Sequence, residues 1–268
     1  MVGRILESDI LATTKKIHFN PLLAHHYAQK SQQIRVMSED WLGRTTYCPS
    51  CGYQPIQQFA NNKPVSDFFC PQCDEQFELK SKKGYSVGTS VADGAYHTML
   101  ERISSDTNPN FFFLSYRETD YAVQQLVLVP KHFITAQMIV PRKKGIPNRP
   151  DYIMCSMNLG TLPEQGKIIL IDREKVVEPE LVLQKWQQTL FLRQQKTERK
   201  GWLLAIMKCI DRLPEKFTLK QMYEFEILLK HQFPDNNHIK DKIRQQLQML
   251  RDHNVIEFLG NGNYQKNS

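Results

Sequence analysis

The sequence has no apolar run approaching the length of a membrane span, and its first twenty residues carry Glu7 and Asp9 where a secretory leader needs a continuous apolar segment and a small-residue cleavage site. These two absences argue against membrane insertion and export, so a cytoplasmic protein is expected. Acidic charge is in deficit. The 268 residues hold 28 Asp and Glu against 35 Lys and Arg, for a net charge of +7 and a pI near 9.0. The imbalance is uneven: residues 1–180 carry 20 basic and 19 acidic groups, whereas residues 181–268 carry 15 and 9. Six of the seven excess positive charges therefore sit in the last third, where they suit a polyanionic partner. Charge alone does not separate a nucleic-acid binder from an ordinary basic protein.

Cysteine is also scarce, with six in the chain. Four of them form two pairs, Cys48-Pro-Ser-Cys51 and Cys70-Pro-Gln-Cys73. Two Cys-x-x-Cys pairs about twenty residues apart have the spacing of a tetrahedral zinc site, because a two-residue gap lets both thiolates of a tight knuckle reach one ion. The competing reading is a pair of disulfides, or thiols that meet no metal. Four protein ligands leave zinc no open position, so its role is structural and its binding energy becomes folding energy. Cys155 and Cys209 lie among apolar neighbours and read as small buried hydrophobes.

Chemistry must then come from residues beside the cluster. Asp67 precedes Cys70 by three residues, and Glu78 and Lys80 follow Cys73 by five and seven. In Phe77-Glu78-Leu79-Lys80 apolar and charged residues alternate, the period of a half-buried strand, so Glu78 and Lys80 share one face and Phe77 and Leu79 the other. Two carboxylates offer hard oxygen ligands to Mg²⁺, and a lysine beside them can orient a water or offset charge on a phosphoryl group. The competing reading is a solvated surface strand with ordinary charge alternation.

Around this hairpin the pattern is mixed. Residues 1–18 read as a short extension of low order, and Pro21 to about Met37 as a helix with Leu22, Leu23, Tyr27, Ile34 and Met37 as its apolar contacts. His25 and His26 read as surface residues. A second helix is expected from Ser90 to Ile103 with Tyr96, Leu100 and Ile103 buried. Two nearly continuous apolar strands, Phe111–Tyr116 and Val123–Val129, suit the buried centre of a mixed sheet. Pro141–Tyr152 reads as a loop whose Arg142, Lys143, Lys144, Arg149 and Tyr152 are candidates to grip DNA, and Lys167–Ile171 as the last strand of the first domain. Pro179 opens a helical linker with a basic end.

From Gly201 the pattern becomes three helices and a hairpin, the winged-helix order. On the third helix Ile239, Ile243, Leu247 and Leu250 fall on one side. Asn237, Lys240, Arg244, Gln248 and Arg251 fall on the other, where amides and guanidinium groups can read bases and lysine can hold phosphate. A solvated face, or a protein-binding wing domain, are the competing readings.

Val65-Ser66-Asp67 followed by Glu78-Leu79-Lys80 resembles the PD-(D/E)xK nuclease motif, with serine where the motif often has proline. The longer run from Cys48 through Asn62-Lys63-Pro64-Val65-Ser66-Asp67-Phe68 to Gly84 resembles the DpnI-type methyl-directed restriction endonucleases. Asn108–Leu114 and Asn236–Asp252 extend the similarity, which covers most of the chain from about Phe19. The resemblance implies catalytic Asp67, Glu78 and Lys80, magnesium at Asp67, Glu78 and Leu79, and hydrolysis of duplex DNA at adenine-methylated GATC sites. Dependence on methylation comes from the resemblance alone. Tyr152 stands where the resembling enzyme has tryptophan, which keeps a stacking surface but removes the indole N–H.

The expected architecture is an α/β restriction-endonuclease-like core with a zinc-binding insertion, followed by an α+β winged helix. The expected boundaries are a nuclease domain over 1–180, a basic helical linker over 181–200 and a winged helix over 201–268, in a protein favoured as a monomer. Two other functions remain open: a zinc-containing winged-helix regulator without nuclease activity, and a nuclease for unmethylated sites.

Overall fold

Phe111, Phe112 and Phe113 are fully buried in succession, which requires apolar cover on both faces of their strand. That strand is central to a seven-stranded mixed sheet in the computed structural model, which describes residues 17–60, 66–105, 108–143, 149 and 152–267. The extension up to residue 16, the Asn62–Val65 part of the nuclease-like run and Lys144 lie outside the described residues.

The sheet comprises β1 (Gln57–Gln58), β2 (Phe68–Phe69), β3 (Gln76–Lys83), β5 (Asn110–Tyr116), β6 (Val123–Val129), β9 (Ile168–Asp172) and β10 (Lys175–Val176), in that spatial order. Among the described residues only β3 and β5 pair in parallel, with Glu78 opposite Phe111 and Lys80 opposite Phe113. Between them the chain leaves the sheet to form β4 (Ser90–Ala95), and it later adds β7 (Ile139–Pro141) and β8 (Met154–Asn158). These three make a second, antiparallel sheet in the order β4-β8-β7.

Four expectations for residues 1–180 need correction. The first helix, α1, spans Lys30–Thr45, and Pro21–Ala24 is a separate 3₁₀ turn capped by the Asn20 side chain. The apolar stripe that defines α1 is Ile34, Met37, Trp41 and Leu42, all buried, whereas Leu22, Leu23 and Tyr27 are exposed and have no core to face. Ile17 and His18 belong to the fold, since Ile17 is buried and His18 bridges to Ala122. Ser90–Ala95 is a strand, and only Tyr96–Ile103 is helical (α2), with Met99 as its buried residue. Lys167–Ile171 does not end the sheet, because β10 turns back onto β9.

The described chain divides into two units. The first takes residues up to 160 and 167–186, including the opening of α3 (Pro179–Thr189); the second takes residues 161–166 and everything from 187. Residues 161–166 join the second unit through side chains of α4 (Thr197–Asp211): Lys208 donates to the Leu162 carbonyl at 2.9 Å, and Asp211 accepts from the Glu164 N–H at 3.0 Å. The helix expected from Gly201 thus begins four residues earlier, inside the stretch read as linker.

In the second unit, Trp202, Leu203, Ile206, Met207 and Ile210 of α4 are buried. Two short helices, α5 (Leu219–Tyr223) and α6 (Glu226–Gln232), stand where a single one was expected. Then come α7 (Ile239–Asp252), β12 (Ile256–Gly260) and β13 (Asn263–Lys266), with β11 (Lys216–Thr218) completing a three-stranded sheet. Asn261 and Gly262 join the two wing strands at φ +49° and +74°, the pair of positive φ values of a type I′ turn. The α5 N-terminus carries a capping box, with Thr218 Oγ1 accepting from Gln221 N–H at 3.2 Å and the Gln221 side chain accepting from Thr218 N–H at 2.8 Å. Thr218→Ala should lower stability by about 1 kcal/mol, seen as a lower midpoint with unchanged slope in urea unfolding.

Candidate active site

The second cysteine pair forms the turn between β2 and β3, and the first follows the end of α1. In each knuckle a backbone N–H reaches back to the first cysteine's carbonyl, Gly52 to Cys48 at 2.8 Å and Asp74 to Cys70 at 3.0 Å. Gly52 and Asp74 take φ of +81° and +56°, the left-handed conformation that closes so tight a loop. The N–H groups of Ser50 and Cys51 point at the Cys48 sulfur, and those of Gln72 and Cys73 at the Cys70 sulfur. All four sulfurs lie within 4.8 Å of one another. Cys48 and Cys73 are 3.6 Å apart and Cys51 and Cys70 are 3.5 Å apart.

Thiolates about 2.3 Å from a tetrahedral ion stand about 3.8 Å from each other, whereas a disulfide requires about 2.0 Å. The spacing therefore fits a closed metal site, and the disulfide reading does not fit. Cys155 and Cys209 are buried free thiols, and burial pushes each up to about 11.

The hairpin that carries this cluster also sets the acidic residues. Phe68 pairs with Phe77, and one step further the Asp67 N–H donates to the Phe77 carbonyl at 3.1 Å. The Asp67 side chain then reaches β3, where its Oδ2 accepts the Leu79 N–H at 2.8 Å. Burial raises the Asp67 pKa to about 6; the Leu79 N–H lowers it, Glu78 and Glu39 raise it and Lys80 lowers it.

Glu78 and Lys80 do share a face. The Lys80 ammonium stands 2.5 Å from Glu78 Oε1 and 2.5 Å from Asp93 Oδ1, while Arg102 Nη1 is 2.5 Å from Glu78 Oε2. Burial works against the charge on Lys80, but Glu78 and then Asp93 outweigh it and hold the pKa above the ordinary lysine value. Lys80 is therefore held as a protonated ammonium between the two carboxylates.

Three carboxylates, Asp67, Glu78 and Asp93, face two cations, Lys80 and Arg102, so the ionised cluster is one positive charge short. Hard oxygens in a partly buried, net-negative cluster fit a magnesium ion, with Asp67 and Glu78 as the residues able to hold it.

Asp93 and Arg102 were not singled out from the sequence. Both fall in the stretch read as one helix, and Asp93 sits on β4 instead, opposite Cys155 of β8. A bulge between Asp93 and Ala95 accompanies it, and Gly94 within that bulge was the available signal. Tyr152 is half-buried, with its hydroxyl beside Gly94.

Comparison with protein families gives two matches that together account for nearly all of the chain. Residues 15–195 match the model of DpnI, the Dam-replacing family, and residues 198–266 match the Dam-replacing HTH domain. The chain belongs to the DpnI, Dam-replacing family. Its HTH domain is the helical second unit closed by the β12–β13 wing. On α7 of this HTH domain Ile239, Ile243, Leu247 and Leu250 are buried, and Lys240, Arg244, Gln248 and Arg251 are exposed on the opposite side.

Asn237 precedes α7, where its side-chain oxygen accepts from Lys230 at 3.0 Å. Lys240 is 3.2 Å from Glu226, Arg244 pairs with Asp241 and donates to the Tyr223 hydroxyl at 2.7 Å, and Arg251 is 2.8 Å from Asp252. His25 and His26 are exposed and far in sequence from both clusters.

The raised Asp67 pKa has a sign that can be checked. A carboxyl whose folded pKa lies above its unfolded value binds more protons when folded, so its contribution favours the fold below about pH 4 and is lost as pH rises through about 6. In metal-free protein, the stability difference between wild type and Asp67→Asn should shift against wild type across that interval, as measured by urea unfolding at several pH values.

Proposed function

We propose that the chain is a methyl-directed restriction endonuclease that hydrolyses the phosphodiester backbone of duplex DNA at adenine-methylated GATC sites, as a magnesium-dependent monomer. The observation that carries this reading is the meeting of Asp67, Glu78 and Lys80 on one hairpin of a chain belonging to the DpnI, Dam-replacing family. The winged second unit, with its concentration of positive charge, supplies a surface for the DNA backbone. Among the described residues no helix is long and apolar enough to cross a membrane.

Asp67 and Glu78 would hold the magnesium ion. Leu79, which has no side-chain oxygen, could add only its main-chain carbonyl. Bound there, the ion supplies Lewis acidity toward the phosphoryl oxygen and the attacking water. The protein's part is positional. Leu79 N–H fixes one oxygen of Asp67, so that carboxylate enters the site in a set orientation. Arg102 holds the far oxygen of Glu78, and the Lys80 ammonium donates toward the water oxygen or the charge that accumulates on phosphate. The water oxygen bonds to phosphorus as the bond from phosphorus to a sugar oxygen breaks; the water gives up one proton to solvent and the departing sugar oxygen takes one from it, leaving a phosphate monoester and an alcohol. A zinc ion in the cysteine cluster would keep the β2–β3 turn closed and take no part in the reaction.

Plasmid prepared from an adenine-methylating host should be cut in Mg²⁺, and the same plasmid from a non-methylating host left intact. Cutting confined to unmethylated plasmid would overturn the specificity. Lys80→Ala should retain DNA affinity while cleaving about a hundredfold more slowly or less; a DNA-binding regulator without nuclease activity would leave both plasmids intact even as wild type. Native mass spectrometry should find one zinc per chain, and its removal by chelation, or Cys70→Ser, should lower the melting temperature and abolish cleavage together.

A further inference from the structure

We infer that Asp93 is the positioning residue for Lys80, the anion that keeps the ammonium at the scissile phosphate once Glu78 is engaged with a metal ion. The inference rests on the nuclease reading and deepens it.

Lys80 is held from two sides, by Glu78 Oε1 and by Asp93 Oδ1, each at 2.5 Å. These two holders are not equivalent. Glu78 is the carboxylate that a divalent cation would share, and a dication at Glu78 both competes for its oxygens and repels the ammonium. A lysine on four rotatable carbons has no reason to stay there unless a second anion retains it. Asp93 is placed to be that anion.

Its backbone is fixed by the pairing of β4 with β8, and its Oδ1 also accepts the Gly94 N–H at 2.7 Å, inside the bulge that turns the side chain toward β3. The Asp93 side chain is only 8% exposed, yet among the described residues no hydrogen-bond donor reaches its Oδ2. A buried carboxylate oxygen left without a donor costs stability, which a purely structural aspartate would avoid. Asp120 provides the contrast: it is more exposed, and both its oxygens accept from one arginine, Arg117. The spare oxygen of Asp93 gives the ammonium a second acceptor when Glu78 Oε1 is withdrawn.

The test uses Asp93→Asn, Asp93→Glu, Lys80→Ala and the Lys80→Ala/Asp93→Asn double variant of the full chain. Three measurements are made: single-turnover cleavage of methylated duplex in Mg²⁺, Mn²⁺ affinity by electron paramagnetic resonance without DNA, and melting of the metal-free proteins. Asp93→Asn should slow cleavage about tenfold or more, with duplex affinity in Ca²⁺ unchanged within about twofold, and Asp93→Glu should recover part of the rate. Melting shifts of the two single variants should be less than additive in the double variant. Adding Asp93→Asn to Lys80→Ala should leave Mn²⁺ affinity unchanged within about twofold, because the residue acts through the lysine.

Full-speed cleavage by Asp93→Asn, or strictly additive melting shifts, would overturn the inference. So would a Mn²⁺ affinity about tenfold weaker in the double variant than in Lys80→Ala, since that would make Asp93 a metal ligand. If wild type itself leaves methylated DNA intact, the nuclease reading fails first and this role with it, an outcome visible before any substitution is made.

Discussion

The register of β2 against β3 is the constraint on which the candidate site depends. Phe68 opposite Phe77 sets the Asp67 carboxylate against the Leu79 N–H, and leaves Glu78 and Lys80 on the face away from Phe77. β3 is held to β5 along Phe77–Lys83, so a slip of one residue would move β2 and turn Asp67 away from the Leu79 N–H to the opposite face. The two strands are short on the β2 side, only Phe68–Phe69, so their own ladder specifies register weakly. The Cys70–Cys73 knuckle is the turn that joins them, and its sulfurs meet those of Cys48 and Cys51. An ion held by the four sulfurs would close that turn and fix the register where two residues of ladder cannot.

Burial then converts position into chemistry. The Glu78 side chain is 9% exposed and that of Lys80 18%, so charge interactions between them are screened far less than on an open surface. In such surroundings Lys80 keeps its proton because two carboxylates hold it, whereas Asp67, with fewer compensating partners, is pushed up to about 6. A cluster that leaves one acid undercompensated has a standing preference for another positive charge. The same energetics that destabilise Asp67 as an anion would be relieved by a cation bound beside it.

The parts of this structure that were legible in the sequence are those whose signal is local. Cysteine spacing needs only a knuckle's geometry, and the continuous apolar residues of Phe111–Leu114 need only to be recognised as unable to face water. The alternation at Phe77–Lys80 is likewise contained in four residues. Asp93 was not legible because its strand exists through pairing with β8, far along the chain, while Tyr96–Ile103 immediately after it carries a genuine helical period that spreads backward by analogy. The helix expected at Pro21 failed for the converse reason. Its local signals for a start were sound, but the apolar stripe that a core could accept begins only at Ile34, and tertiary burial decided where the helix lies.

The second unit raises a different question of balance. Its excess positive charge would attract any polyanion, yet the cations on the exposed side of α7 are paired within the unit: Lys240 with Glu226, Arg244 with Asp241, Arg251 with Asp252. Exposed pairs of this kind contribute about 0–1 kcal/mol each, so exchanging an acid for a phosphate or a base edge costs little. What the pairing does is hold long side chains extended over the helix face, with Tyr223 beneath Lys240 and bonded to Arg244, so less rotamer freedom remains to be lost on binding. The acids also cap the indiscriminate attraction that an unpaired basic helix would exert. Were this face to meet DNA, general affinity for the backbone would come from the unit's net charge, and discrimination from contacts good enough to displace an existing partner.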